Sequence, residues 1–77
     1  MKEAKIFLGT IERVKDFVNA VTRLDCDVDI VSGRYVIDAK SIMGIFSLDL
    51  SKPIDLNIHA ENQDADNIIE LLKPYLV

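Results

Sequence analysis

The segment Asp25-Cys-Asp-Val-Asp-Ile30 places an aspartate at every second position and an apolar side chain between them. A strand with one wet face and one buried face satisfies that pattern, because successive side chains of an extended chain point to opposite sides. The same period recurs twice, and a short all-apolar run stands after a turn signal. Ala4, Ile6 and Leu8 alternate with Lys5 and Phe7, Tyr35-Val36-Ile37 follows Ser32-Gly33, and Ile54, Leu56, Ile58 and Ala60 alternate with Asp55, Asn57 and His59. Ser32-Gly33 predicts a hairpin between the aspartate run and Tyr35-Val36-Ile37. Pro53 suits the first residue of the last strand, where its missing N–H breaks no ladder bond.

Between these runs the period lengthens. Ile11, Val14, Phe17, Val18, Val21 and Leu24 recur at three- and four-residue intervals. At the turn angle of a helix they fill a sector about 140° wide, and Glu12, Lys15, Asp16, Asn19 and Arg23 fall outside it. Thr10 suits the N-cap, since its hydroxyl can accept from a free N–H of the first turn. A short helix is expected after Ser41. Ala65, Ile68, Ile69 and Leu72 form the stripe of a last one, with Asp64 and Asp66 favouring its positive end and Pro74 stopping it near Lys73. The order β-α-β-β-α-β-α describes one α+β open sandwich over residues 1–77, its helices covering one face of a four-stranded sheet.

Composition bounds the chemistry. Apolar residues make up 49% of the 77, enough for a core without metal or disulfide support. The lone Cys26 can form no internal bridge; it reads as a small apolar filler in a reducing compartment. No run approaches the roughly 18 apolar residues of a membrane span, and MKEAKIFLG is too short and too acidic for a signal peptide, so the cytoplasm is the expected location. A net charge of −4 with nine scattered basic residues argues against nucleic acid. Tyr35 and Tyr75 are too scattered to form a stacking platform. Asp25, Asp27 and Asp29 invite a metal, but alternate strand residues stand about 6.5–7 Å apart, too far for a tight shared site. They read as a solvated face whose charges discourage sheet-to-sheet pairing. His59 with Glu61 is a poor ligand set, and the three glycines are isolated, so no phosphate-cradling loop is present. No cofactor, no metal and no catalytic activity of its own are expected.

The segment Asp38-Ala-Lys-Ser-Ile-Met-Gly-Ile-Phe-Ser-Leu48 is too greasy for an ordinary surface helix. With Ile42 at zero on a helical wheel, Met43 falls near 100° and Phe46 near 40°, whereas Ile45 falls near 300° and Leu48 near 240°. These are two apolar faces. A two-turn helix on a sheet can bury only one of them. If Ile45 and Leu48 go inside, then Ile42, Met43 and Phe46 are left for a loop, for the last helix, or for a partner. Ser41 caps the helix, and a phosphate there would meet free N–H groups and the positive helix end.

The same segment, with Lys40-Ser-Ile-Met-Gly44 at its centre, resembles the regulatory-serine region of HPr, the histidine-containing phosphocarrier of the bacterial sugar phosphotransferase system. The likeness runs from Phe17 to Ile30 and through the last strand and helix. It implies the HPr fold, an open-faced β-sandwich with a four-stranded antiparallel sheet and three helices on one face. In that family a glycine-containing loop presents a histidine at the start of the first helix, followed closely by an arginine and a proline. Counting back from the serine segment, Thr10 stands at the histidine position, Glu12 at the arginine and Arg13 at the proline. A phosphothreonine ester is a poor phosphoryl donor beside a phosphoramidate, and Glu12 repels phosphate where arginine would attract it. His59 reads as a solvated strand residue. Some family members lack the histidine and act as regulators: a dedicated kinase phosphorylates the serine, and the product binds a transcription regulator or an enzyme of the system. By that resemblance Ser41 is the phosphoacceptor and Ile42, Met43 and Phe46 the docking cluster. Two other readings stay open, a phosphocarrier with a non-standard nucleophile and a scaffold domain with no phosphorylation.

Overall fold

A computed structural model describes residues 1–77. The order is β1 (Lys2–Ile6), α1 (Ile11–Thr22), β2 (Val28–Ser32), β3 (Tyr35–Asp38), α2 (Ile42–Phe46), β4 (Ile54–Ile58) and α3 (Asn62–Leu71), then a 3₁₀ turn over Lys73–Tyr75. The strands form one antiparallel sheet in the order β1-β4-β2-β3. This is the α+β open-faced sandwich the periodicities predict.

The alternation builds the two faces. Ile6, Val28, Ile30, Ile54, Leu56 and Ile58 are buried under the helices, together with Val14, Phe17 and Val21 of α1, Ile45 of α2 and Ile68 of α3. Every one of the 15 buried residues is apolar, so the core carries no desolvated charge to be compensated. The opposite face carries the interleaved polar set. Asp29 stands between Asn57 and Asp38 in the register, and Lys5 lies across from Asp55, its Nζ 3.7 Å from the carboxylate. The β2–β3 hairpin turns through Gly33-Arg34, with Gly33 at φ +60°, a conformation that side chains on Cβ disfavour.

Boundaries move by a residue or two from the sequence reading. Cys26 lies ahead of β2, and His59 and Ala60 lie past the end of β4. α3 ends at Leu71, and Pro74 sits inside the 3₁₀ turn beyond it. The chain then returns along the outer edge of β1. Phe7 N–H donates to Tyr75 O at 2.9 Å, Val77 N–H to Lys5 O at 3.1 Å, and Ile6 bridges Leu76. One edge of the sheet is thereby covered by the chain itself.

Candidate functional site

Two helix N-termini carry the residues of interest. At α1, Thr10 is extended (φ −131°, ψ 158°) and its Oγ1 accepts from Arg13 N–H at 3.2 Å, the predicted cap. The approach is short: Gly9 takes φ +72° between Leu8 and the cap. Arg13 then folds back under this loop. One guanidinium nitrogen donates to Phe7 O at 3.0 Å and to Pro74 O at 3.1 Å, and the group lies 5.3 Å from the centre of the Tyr75 ring. Tyr75 in turn meets Phe17 edge to face at 5.6 Å. The start of α1, the end of β1 and the C-terminal turn are thus tied through one side chain. Sequence reasoning missed this role of Arg13, whose contacts lie 6 and 61 residues away along the chain.

Ile11, counted in the apolar stripe, is 62% exposed. The wheel gives a residue's angle and not its place along the axis; this one occupies the first position of the helix.

At α2, Ser41 is exposed and its Oγ accepts from Gly44 N–H at 3.3 Å, again the predicted cap. A tight turn delivers it: Asp38 accepts from Lys40 N–H through its carboxylate and from Ser41 N–H through its carbonyl, each at 2.9 Å. Lys40 Nζ donates to Leu24 O at 3.1 Å, placing a cation at the negative end of α1. Gly44 is required by close approach. A Cβ there would stand 2.7 Å from Ile37 Cγ2 and 3.2 Å from Ser41 Oγ, so its absence lets the helix lie on β3 with the cap intact.

Ile45 is fully buried and Leu48 packs partly into the core, so theirs is the face of α2 that goes inside. Met43 is 78% exposed and Phe46 38% exposed. Ile42 is divided between the two faces, half-buried against the core. Just past the helix, Ser51 donates to Asp49 from its hydroxyl and its N–H, and these bonds hold the Asp49 carboxyl below its ordinary 3.8.

His59 is not part of either terminus. Its Nε2 lies 2.6 Å from Asp29 Oδ2 on the outer face of the sheet. In the β1–β4 register Ile58 faces Lys2 and Ile54 faces Ile6. His59 therefore stands at the Lys2 end, whereas Thr10 lies beyond the Ile6 end, and those two ends are four strand steps of about 3.3 Å apart.

A family model described as the PTS HPr component phosphorylation site matches residues 13–76. The chain belongs to the HPr family. The matched span takes in Ser41 and α2 and begins three residues after Thr10. No curated protein matches. Among solved structures, HPr-C-His from Thermoanaerobacter tengcongensis is similar at 26% identity over 96% of this chain and 89% of its own, with a TM-score of 0.76. The phosphocarrier protein HPr from Bacillus anthracis str. Ames is similar at 27% identity, 99% and 94% coverage, and a TM-score of 0.71. The histidine-containing phosphocarrier protein of Mycoplasma, at 18% identity with 95% and 86% coverage, shares the fold with a TM-score of 0.70. The HPr assignment rests on most of the chain, and the family interacts with proteins of the phosphotransferase system. No helix of this chain is long and apolar enough to cross a membrane.

Proposed function

We propose that this HPr-family chain is a cytoplasmic protein-binding regulator and not a phosphoryl carrier, with α2 as its docking surface and Ser41 as its switch. The observation that carries the reading is the division of α2: Ile45 is fully buried while Met43, two residues before it, is 78% exposed. A flexible thioether and an aromatic ring on a helix anchored by Gly44 make an adaptable contact on a rigid support. Two features of α1 support the other half. Thr10, at the family's histidine position by count, offers a hydroxyl in place of an imidazole, and the sole histidine pairs with Asp29 at the far end of the sheet.

At Ser41 the hydroxyl oxygen would attack the γ-phosphorus of a nucleoside triphosphate held by a kinase. The diphosphate leaves, and the hydroxyl proton passes to a base of that enzyme. The product phosphate would replace a neutral cap with an anion at the positive helix end, stable there, and would add about two negative charges beside Met43. A kinase of the HPr type and a transcription regulator or system enzyme are the partners the family suggests.

The test labels the protein two ways. With phosphoenolpyruvate and enzyme I, the family's phosphoryl donor, no stoichiometric acid-labile phosphate is expected. With HPr kinase and ATP, one acid-stable phosphate is expected at Ser41 and none on Ser41→Ala. Acid-labile phosphate that disappears in His59→Gln would establish the carrier reading instead, with His59 as its nucleophile. An unmodified Ser41 would leave the scaffold reading.

A further inference from the structure

The two edges of the sheet are treated differently. The outer edge of β1 is closed by the returning chain, whereas β3 is the last strand on the other side and no strand bonds to its edge; only Asp38 O, at its end, is taken, by Ser41 N–H. Ala39 N–H donates to Val28 O, and the β2–β3 register continues from that pair through Ile30↔Ile37 to Ser32↔Tyr35. In an antiparallel ladder every second residue faces its neighbour, so Ile37 and Tyr35 bond to β2 while the N–H and C=O of Val36 face outward. An open edge of this kind is a template for another strand. Natural edges are protected by like charges or proline; this one has neither. Tyr35 is 70% exposed and Val36 67% exposed, and they are bracketed by one cation, Arg34, and one anion, Asp38.

The spacing of those charges identifies the occupant. Arg34 and Asp38 stand two residues before and two residues after Val36. If a second copy of β3 lies antiparallel with Val36 opposite Val36, each Tyr35 falls opposite the other copy's Ile37, and each Arg34, in the turn just before the strand, comes beside the other copy's Asp38. Val36 then exchanges both backbone bonds with its counterpart, the pairing that its outward N–H and C=O allow. We infer that this edge is a self-complementary interface through which two copies join their sheets into one of eight strands. The two-fold axis passes between the Val36 residues, so both α2 helices, which pack on β3 at Ile37, flank the seam on one face. Five residues a side fall short of the surface a tight dimer buries, so the association is weak, with a dissociation constant on the order of hundreds of micromolar.

The decisive measurement is amide hydrogen exchange and sedimentation of the whole chain across a concentration series. The Val36 amide should exchange freely when dilute and become protected as a dimer forms near millimolar concentration. Arg34→Asp should weaken self-association roughly tenfold, since both cross-strand pairs become like-charged. Asp38→Arg should do the same, and an equimolar mixture of the two variants should recover dimerisation, because every facing pair is again of opposite charge. Val36→Lys should abolish it. A protein that stays monomeric to millimolar concentration overturns the inference. So does a dimer in which the Val36 amide remains unprotected, or one that Val36→Lys leaves unchanged. The wild-type exchange readout decides the matter even where Asp38→Arg, which loses the turn bond to Lys40, proves unstable.

Discussion

The mouths of α1 and α2 use the same capping chemistry and are surrounded in opposite ways. Thr10 and Ser41 each accept from the N–H three residues on, at 3.2 and 3.3 Å. Past Thr10, Ile11 is left exposed but Arg13 turns back into the fold, where it holds Phe7 O and Pro74 O and lies over Tyr75. Around Ser41 the fastening precedes the serine, through Asp38 and Lys40, and the exposed side chains of Met43 and Phe46 come after it. A hydroxyl at a helix start therefore says little about function by itself. Whether the first turn is spent on the protein or offered to others is decided by its neighbours.

The largest effect that tests this contrast lies at α2. Met43→Asp should weaken binding of a partner recruited by the Ser41-phosphorylated protein by at least about 2 kcal/mol, the scale of a central interface side chain. The melting temperature should hardly move, because an exposed side chain away from the core contributes within about 0.5 kcal/mol. Binding that survives Met43→Asp and Phe46→Asp together would place the contact elsewhere.

At α1 the same logic predicts a change in stability without a change in binding. Arg13→Ala should cost about 1–3 kcal/mol in denaturant unfolding, because two backbone acceptors lose a charged donor and Tyr75 loses its cation. Arg13→Lys should restore only part of it, since one ammonium nitrogen can serve both carbonyls but lacks the flat guanidinium that lies on the Tyr75 ring. An unaltered midpoint in Arg13→Ala would mean that the mouth of α1 is not pinned, and the contrast with α2 would fail.

Much of this was readable in the chain. The period-two runs mark three of the strands because one-sided burial leaves a local record at every second residue, although the run at Asp25–Ile30 starts three residues ahead of β2, and β3 is marked by the turn signal before it. The caps were readable because Thr10 and Ser41 act on groups three residues away. The division of α2 was readable from the angle between Ile45 and Met43, although Ile42, lying between the faces, settled half-buried. The features that could not be read depend on contacts without local periodicity. Arg13 reaches Pro74 across 61 residues, and the strand-like return of Tyr75 to Val77 beside β1 has no alternation of its own. The need for Gly44 lies in Ile37, a residue on another element.

The smallest effect concerns Tyr75 and appears only at alkaline pH. Burial raises its phenol above the ordinary 10.0, the Asp16 carboxylate adds to the rise, and the Arg13 guanidinium opposes it. The folded chain thus holds the phenolic proton more tightly than the unfolded chain. Stability from this group is complete below about pH 10 and is lost as the pH climbs through the raised value, because the unfolded state then releases the proton first. Tyr75→Phe keeps the ring against Phe17 and removes the proton, so it should flatten the decline in unfolding free energy above about pH 10 while leaving neutral stability nearly unchanged. Arg13→Ala should instead steepen the decline, since it removes the one group that favours the phenolate. A variant pair whose alkaline profiles coincide with wild type would show that Arg13 and Tyr75 do not sense each other, and the seal at the mouth of α1 would then be two separate contacts instead of one clamp.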